Sequence, residues 1–224
     1  MRVLLLDQYS DPGGGQRMLL ESLRGIRQRG WNALAALPGD GAVFEQVEGL
    51  GFRTARIACG SYSPGRKSAA DTLRFLAELP GLARQIGSLA AGFTPDAIYI
   101  NGPRLLPAAS WARLPAPVLF HAHTAMPSFA QRRLAGVALR KLNASVAAVS
   151  ESVAECWRPF AAVSVIRNCA SEPGGPAAPR LAGPPRIGTV GRISPVKGQR
   201  EFLRAASMIL KAIPEARFFV YGAA

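Results

Sequence analysis

The sequence predicts an α/β fold with a doubly wound parallel sheet, and three observations carry this prediction. Short apolar runs alternate with amphipathic helical segments along most of the chain. A stretch rich in proline and glycine then interrupts the pattern, and a new strand, helix and strand follow it. We therefore expect a Rossmann-like domain at residues 1–169, a linker at 170–185 and the first βαβ unit of a second, incomplete domain at 186–224.

The N-terminal region sets the pattern for the first domain. Residues 3–6 are apolar without alternation, as in a central strand that is covered on both faces. A glycine-rich break at residues 13–15 leads into a helix over residues 16–28, which Gly30 ends. A second strand at residues 31–37 completes a βαβ unit, and the handedness of such crossovers makes a parallel sheet the expectation.

The alternation continues to residue 166. Pro80-Gly81 should divide one helical stretch in two, because proline lacks the amide hydrogen that the helix needs. A polar loop is expected at residues 61–67. The further predicted strands cover residues 53–58, 97–100, 118–121, 145–149 and 163–166, and the further predicted helices cover residues 43–50, 68–79, 82–91, 105–114, 129–142 and 151–157.

The charge balance narrows the possible partners. Lysine and arginine total 27 against 14 acidic residues, a net charge of +13, which favours acidic ligands or an anionic membrane surface. Nucleic acid is not expected, because no basic run is interleaved with aromatic residues. The N-terminus lacks the apolar run of a signal peptide. These features predict a cytoplasmic protein, with a peripheral position on the cytoplasmic face of a membrane as a further possibility.

The helix predicted at residues 129–142 has a basic side opposite an apolar stripe. The basic side could dock on anionic lipid, although a solvated face above the core is the ordinary explanation. A non-catalytic basic module that binds a membrane surface or a partner protein is therefore the alternative function. The basic residues of this helix are Arg132, Arg133, Arg140 and Lys141.

The segment from Arg186 to Gly198 predicts a strand, a turn and the start of a helix near Gln199. Gly191 would let the backbone approach a ligand closely. Arg192 and Lys197 bring two cations to the mouth of a helix whose N-terminal amides already favour anions. The expected ligand is a phosphate or diphosphate. An ordinary turn with both cations facing water is the alternative.

The glycines before the first helix do not complete a dinucleotide fingerprint. Met18 stands where the third glycine should be, and Leu37 stands where an acidic residue should end the second strand. A nicotinamide enzyme is therefore disfavoured. Gly14 and Gly15 instead leave room for a bulky ligand at the helix N-terminus.

His121 and His123 are the two histidines of the chain, and residues two apart in an extended strand share a face. A metal site is not expected, because no acidic residue lies nearby in the sequence and no Asp-x-Asp pair exists. Hydrogen bonding to a ligand is the favoured role. Packed histidines at a strand end are the alternative.

Taken together, these motifs resemble glycosyltransferase family 4, of the GT-B fold. The resemblance covers nearly the whole chain, and the pairing of Gly191-Arg192 with Lys197-Gly198 is its most specific part. The other segments that carry it are the glycines before the first helix, His121-Ala122-His123, residues 148–152 and residues 165–168.

The resemblance implies two Rossmann-like domains, with the acceptor bound mainly by the first and a nucleotide-sugar mainly by the second. It implies transfer with retention of configuration, no essential metal and no cofactor. Arg192 and Lys197 would then bind the donor diphosphate, and His121, the catalytic candidate, would contact the transferred sugar. The remaining residues expected to bind substrate or line the cleft are Gly14, Gly15, His123, Ser150 and Asn168.

The chain also departs from the family. Asn168-Cys169 stands where the family often has Asn-Gly, and the family's pair of glutamates eight residues apart in the second domain has no counterpart here. The expected function is a retaining glycosyltransferase of polysaccharide or glycolipid biosynthesis that acts on a glycan or lipid-linked acceptor. The chain is expected to be incomplete, whether truncated or half of a split enzyme, and to bind donor poorly alone.

Overall fold

The chain forms two compact units, Met1–Ala170 and Ser171–Ala224. The computed structural model describes residues 1–60, 69–126, 128–169, 183–194 and 197–222. The loop predicted at residues 61–67 and most of the predicted linker lie outside these described residues, so the linker at 170–185 stays a prediction.

A parallel sheet forms the centre of the first unit. Its order, β3-β2-β1-β4-β5-β6-β7, is that of a doubly wound sheet, and all six pairings are parallel. The predicted alternation of strands and helices is thus confirmed. Within the described residues its strands are β1 (Arg2–Asp7), β2 (Asn32–Pro38), β3 (Arg53–Ile57), β4 (Ala97–Asn101), β5 (Val118–Ala122), β6 (Ser145–Ala148) and β7 (Ala162–Val165).

Helices cover both faces of this sheet, so β1 is buried on each side. Val3 and Leu5 pack into one hydrophobic cluster, and Leu4 and Leu6 pack into another. This arrangement explains why the first strand is apolar without alternation. The helices are α1 (Gly14–Gln28), α2 (Val43–Gly49), α3 (Ala69–Phe93), α4 (Leu106–Trp111, after a 3₁₀ turn at Pro103–Leu105), α5 (Phe129–Lys141) and α6 (Glu151–Glu155).

Helix α3 corrects one prediction, because it runs through Pro80 without a break. Leu79 and Leu82, on either side of Pro80-Gly81, are both almost fully buried. Ending the helix there would expose this apolar surface, and that loss outweighs the one hydrogen bond that proline cannot make. Packing therefore overrides the local preference.

Several turns at the amino ends of the strands use a left-handed backbone. Gly30, Gly51 and Asn143 have φ angles of 66°, 82° and 47° and precede β2, β3 and β6. Such residues end the preceding helix and redirect the chain into the next strand. The short αβ connections therefore cluster at the end of the sheet away from the carboxyl ends of its strands.

The second unit contains the predicted βαβ arrangement. Strands β8 (Arg186–Val190) and β9 (Arg217–Tyr221) pair in parallel and are connected by α7 (Gln199–Ala212). Two strands and one helix cannot enclose a core. Val190 and Met208 accordingly remain 84% and 70% exposed.

None of the helices in the described part of the chain is long and apolar enough to span a membrane.

Candidate functional site

Three neighbouring strands bring polar side chains to the same edge of the first unit's sheet. Asp7 ends β1, Asn101 ends β4, and His121 lies one residue before the end of β5. The crossovers change direction between β1 and β4, which is where open α/β sheets bind ligands. This edge is the candidate functional site.

A buried carboxylate organises the polar groups at this edge. Asp7 is fully buried and accepts hydrogen bonds from Gln16 Nε2 at 2.9 Å, from the Tyr9 amide at 2.9 Å and from Asn101 Nδ2 at 2.5 Å. Asn101 Nδ2 also donates to the carbonyl oxygen of Gly15 at 3.1 Å. These bonds tie the ends of β1 and β4 to the first turn of α1.

Both histidines extend this network. Nε2 of His123 lies 2.6 Å from Oδ1 of Asn101, and Nδ1 of His121 lies 2.5 Å from the hydroxyl oxygen of Tyr99. The imidazole rings lie side by side, as expected for residues two apart in a strand, with centroids 4.1 Å apart. His121 Nε2 and His123 Nδ1 are buried and have no hydrogen-bond partner among the described residues.

Burial shifts the protonation of all four titratable groups. It raises the pKa of Asp7 to about 6, against the opposing effect of the hydrogen bonds from Asn101, Tyr9 and Gln16. It lowers the pKa of His121 to about 4, assisted by the neighbouring His123, and it also lowers the pKa of His123. The pKa of Tyr99 is raised in the same way. At neutral pH both imidazoles are therefore uncharged, and each can donate one hydrogen bond and accept one.

The two histidines would need further side chains to bind a metal ion. In the described parts of the chain, no three His, Cys, Asp or Glu side chains come together closely enough to form such a site. The carboxylate of Asp7 already accepts bonds from three donors. The contacts that the two rings make among the described residues are hydrogen bonds to Tyr99 and Asn101, and the expectation of no metal stays a prediction.

The two predicted glycines have different surroundings. A Cβ atom on Gly15 would lie 3.4 Å from Cδ2 of His123, so this glycine packs against the polar network. A Cβ atom on Gly14 would meet no atom of the described residues within 4 Å. The first turn of α1 therefore fits closely against the network at Gly15 and leaves open space at Gly14.

Ser150 and Asn168 are not part of the network in the described structure. Ser150 is the N-cap of α6, where its hydroxyl accepts a hydrogen bond from the Val153 amide at 3.4 Å. This bond satisfies one of the free amides of the helix. Asn168 follows β7 and is exposed. Their binding roles remain predictions.

The predicted anion-binding loop of the second unit is described at residues 191–194 and 197–198. Gly198 has a φ angle of 73° and caps α7, and Arg192 and Lys197 are both exposed. The Gln199 side chain donates to the carbonyl oxygen of Arg192 at 3.0 Å and accepts from the Ser194 amide at 3.5 Å. These two bonds tie the Arg192 end of the loop to the first residue of α7, and the contact of Arg192 and Lys197 with a diphosphate stays a prediction.

Sequence reasoning missed Asp7, Tyr99, Asn101 and the bridging role of Gln199. The first three occur at or near the ends of strands that were predicted from the sequence. A search for polar residues at the carboxyl ends of successive parallel strands would have found them, because those ends converge. No comparable signal identifies Gln199.

A cavity of about 230 Å³ lies at the same edge of the first unit. Leu76 and Leu134 line it and are 49% and 46% exposed, so the cavity opens to the surface. Most of its other lining is also apolar, with Arg104 and Asp71 as the charged members. The other lining residues among those described are Thr72, Phe75, Pro103, Pro107, Met126, Gln131 and Ala135.

The family model described as "Glycosyl transferase 4-like domain" matches residues 13–158, more than half of the chain. The chain belongs to this family. The matched region of this glycosyl transferase 4-like chain includes Asn101 and both histidines. Arg192 and Lys197 lie outside it.

Solved structures share the fold. HepE of Anabaena, crystallised with UDP and glucose, is 23% identical, with a TM-score of 0.72 over 100% of this chain and 61% of HepE. For a variant of S. aureus TarM the identity is 9% and the TM-score 0.70, over 100% of this chain and 72% of TarM. For MurG of Acinetobacter baumannii the identity is 14% and the TM-score 0.60, over 99% of this chain and 67% of MurG. The expected GT-B-type fold is confirmed.

This glycosyl transferase 4-like chain thus spans about three fifths of HepE, or 61% of its length. A search of curated proteins finds no match.

Proposed function

We propose that the chain provides the acceptor-side domain and the start of the donor-binding domain of a retaining, metal-independent glycosyltransferase. The enzyme transfers a sugar from a nucleotide-sugar to a glycan or lipid-linked acceptor, in the cytoplasm or at the cytoplasmic face of a membrane. The observation that carries this proposal is the buried Asp7–Asn101–histidine network at the ligand-binding edge of a glycosyl transferase 4-like domain. The UDP in the HepE structure supports a nucleotide-sugar donor.

The residues have distinct roles in this proposal. His121 contacts the transferred sugar, and its neutral ring can donate or accept a hydrogen bond there. Arg192 and Lys197 bind the diphosphate and stabilise the negative charge that develops as the nucleotide leaves. Gly14 provides room for the ligand beside the first turn of α1.

The apolar cavity favours a lipid-linked acceptor over a free glycan. Its volume of about 230 Å³ is below the roughly 300–1,000 Å³ of pockets that enclose a whole drug-sized ligand, so it would take part of a hydrocarbon chain.

Donor binding tests the main proposal. We expect UDP-glucose or a GDP-sugar to bind, in isothermal titration, to a version that carries a complete second domain, and more weakly to the 224-residue chain. The double variant Arg192→Ala and Lys197→Ala should weaken binding at least about tenfold, because each cation makes a charge-assisted hydrogen bond to phosphate. The control, Arg200→Ala with Lys211→Ala, removes the same charge from α7 and should change affinity less than about twofold.

Two further readouts test the finer parts of the proposal. Product NMR should show the anomeric configuration of the donor, and EDTA should leave the rate unchanged. Failure of the complete protein to bind any nucleotide-sugar would overturn the proposed function.

A second candidate function is binding to an anionic membrane surface through α5, either alongside catalysis or in its place. Phe129 and Val137 are 63% and 58% exposed on this helix, and the guanidinium groups of Arg132 and Arg133 lie 5.8 Å from the Phe129 ring. An exposed aromatic ring beside cations is typical of helices that lie at a lipid interface. Arg140 is less available, because it donates to the carbonyl oxygen of Pro159 at 2.5 Å.

Liposome co-sedimentation tests this candidate. The chain should pellet with vesicles that contain phosphatidylserine and not with phosphatidylcholine alone. Phe129→Ser with Arg133→Glu should abolish pelleting, whereas Arg27→Glu, an exposed site on α1 with the same charge change, should reduce it only slightly. Equal effects of the two changes would contradict a specific role of α5. Lipid binding without donor binding by the complete protein would identify a non-catalytic module.

A further inference from the structure

Only one orientation of the Asn101 amide satisfies its neighbours. One end of the side chain lies 3.1 Å from the backbone carbonyl oxygen of Gly15, and a carbonyl oxygen can only accept a hydrogen bond. The amide nitrogen must therefore face Gly15, and it then also donates to the Asp7 carboxylate at 2.5 Å. The amide oxygen is left facing Nε2 of His123 at 2.6 Å.

This orientation determines where His123 carries its hydrogen. The amide oxygen of Asn101 can only accept, so the hydrogen in this bond must come from Nε2 of His123. A neutral imidazole has one N–H group, and burial, which lowers the pKa of His123, keeps the ring neutral. Nδ1 of His123 is therefore a bare acceptor, and it has no partner among the described residues.

We propose that Asp7 and Asn101 are positioning residues that hold His123 as its Nε2–H tautomer and reserve its Nδ1 to accept a hydrogen bond from a ligand hydroxyl. Asn101 acts directly on the ring, and Asp7 acts through Asn101 by fixing the nitrogen end of the amide. The tautomer follows from the geometry of the network. The ligand hydroxyl, on the sugar or on the acceptor, rests on the proposed function.

His121 provides an internal comparison. Its Nδ1 contacts the Tyr99 hydroxyl at 2.5 Å, and a hydroxyl can either donate or accept. The same hydroxyl also lies 3.4 Å from Oδ1 of Asn101, so its one hydrogen can go either to Asn101 or to His121. The geometry therefore fixes the tautomer of His123 and leaves that of His121 open. We call the chain of hydrogen bonds from Asp7 through Asn101 to His123 the relay. It should influence the tautomer of His123 much more than that of His121.

Histidine-selective ¹⁵N NMR tests the proposal on the full chain, whose two histidines give two imidazole patterns. His121→Gln and His123→Gln assign these patterns. We expect wild-type His123 to show the Nε2–H tautomer almost exclusively near neutral pH. A predominant Nδ1–H form, or comparable amounts of both forms, would overturn the proposal without any further variant.

Substitution of Asn101 tests the relay itself. Asn101→Ala should shift the tautomer ratio of His123 roughly fivefold toward Nδ1–H, as the loss of one hydrogen bond predicts. Ser110→Ala is the matched control, since the buried Ser110 hydroxyl also donates one hydrogen bond, to Pro107 at 2.8 Å. It should leave the ratio unchanged. An unchanged ratio in a folded Asn101→Ala variant would overturn the relay.

These measurements separate the relay from the proposed function. An Nε2–H form of His123 would support the relay even if the version with a complete second domain binds no nucleotide-sugar, a result that would count against glycosyl transfer. An Nδ1–H form of His123, together with binding of UDP-glucose by that version, would overturn the relay and support the proposed function.

Discussion

The burial of Asp7 and His121 gives them opposite effects on stability. The pKa of Asp7 rises from 3.8 to about 6 in the folded state. Its contribution to the free energy of unfolding is therefore largest below about pH 4 and is lost as the pH rises through about 6. The pKa of His121 falls from 6.5 to about 4, so its contribution is present above about pH 6.5 and is lost as the pH falls toward 4. Between about pH 4 and pH 6 the two effects oppose each other.

Asp7→Asn should make acid unfolding steeper. The variant lacks the carboxylate that takes up a proton in the folded state, while the histidines still resist protonation. We expect the free energy of unfolding to fall by up to about 1.4 kcal/mol more per pH unit than in the wild type between pH 4 and pH 6. Urea unfolding across this range measures the slope.

Asp11→Asn is the control for this prediction, because Asp11 is an exposed aspartate on the loop between β1 and α1. A change in the pH profile of Asp7→Asn beyond that of Asp11→Asn is then due to the buried position of Asp7. A wild-type slope in Asp7→Asn would show that Asp7 does not titrate in this range.

Individual site residues were predictable only where the sequence carries a local signal. His121 and His123 are separated by one residue, and Gly15 lies in a run of three glycines, so each could be identified as a candidate from the sequence alone. Asp7 and Asn101 are 94 residues apart, and each is an ordinary residue in its own segment. Only the adjacency of β1 and β4 brings them together, and that adjacency is a property of the whole sheet.

At the scale of elements, α5 shows how packing can override helix propensity. A Cβ atom on Gly136 would overlap the ring of Phe160, so the absence of a side chain lets the helix contact the segment before β7. A glycine inside a helix costs stability relative to alanine when nothing is gained from the close approach. At Gly136 the contact with the aromatic ring offsets that cost.

Gly136→Ala should therefore lower the free energy of unfolding by about 1–3 kcal/mol, because the added methyl group forces the Phe160 ring to move. Gly81→Ala in α3 is the matched control, because its Cβ atom would meet nothing within 4 Å among the described residues. It should raise stability by about 0.5–1 kcal/mol through helix propensity alone. Urea unfolding measures both, and a gain in stability from both changes would contradict this account of α5.

The sequence predicted the helical character of α3 but not its continuity. Its apolar spacing on each side of Pro80 correctly indicated two helical stretches. Their continuity could not be predicted from the local sequence, because it depends on both stretches being buried against one core. The loss of a single backbone hydrogen bond is small beside that burial.

At the scale of the whole molecule, the alternation of strands and helices predicted the class of fold and the parallel pairing of the strands. It did not give the order of the sheet, since a βαβ crossover can place the next strand on either side. The observed order puts β1 between β2 and β4 and so forms the edge at which the candidate site lies. The proline- and glycine-rich stretch and the strand, helix and strand after it gave the expectation of a second domain, and the second unit contains that βαβ arrangement.

The left-handed turns at Gly30, Gly51 and Asn143 have a practical consequence. They connect helices to the amino ends of strands, whereas the histidines and Asp7 occupy the opposite rim. A fluorescent dye or an immobilisation tag introduced beside Asn143 would thus lie on the side of the first unit opposite the candidate site. Sugar-nucleotide titrations on a sensor surface could then be carried out with the ligand end facing free solution.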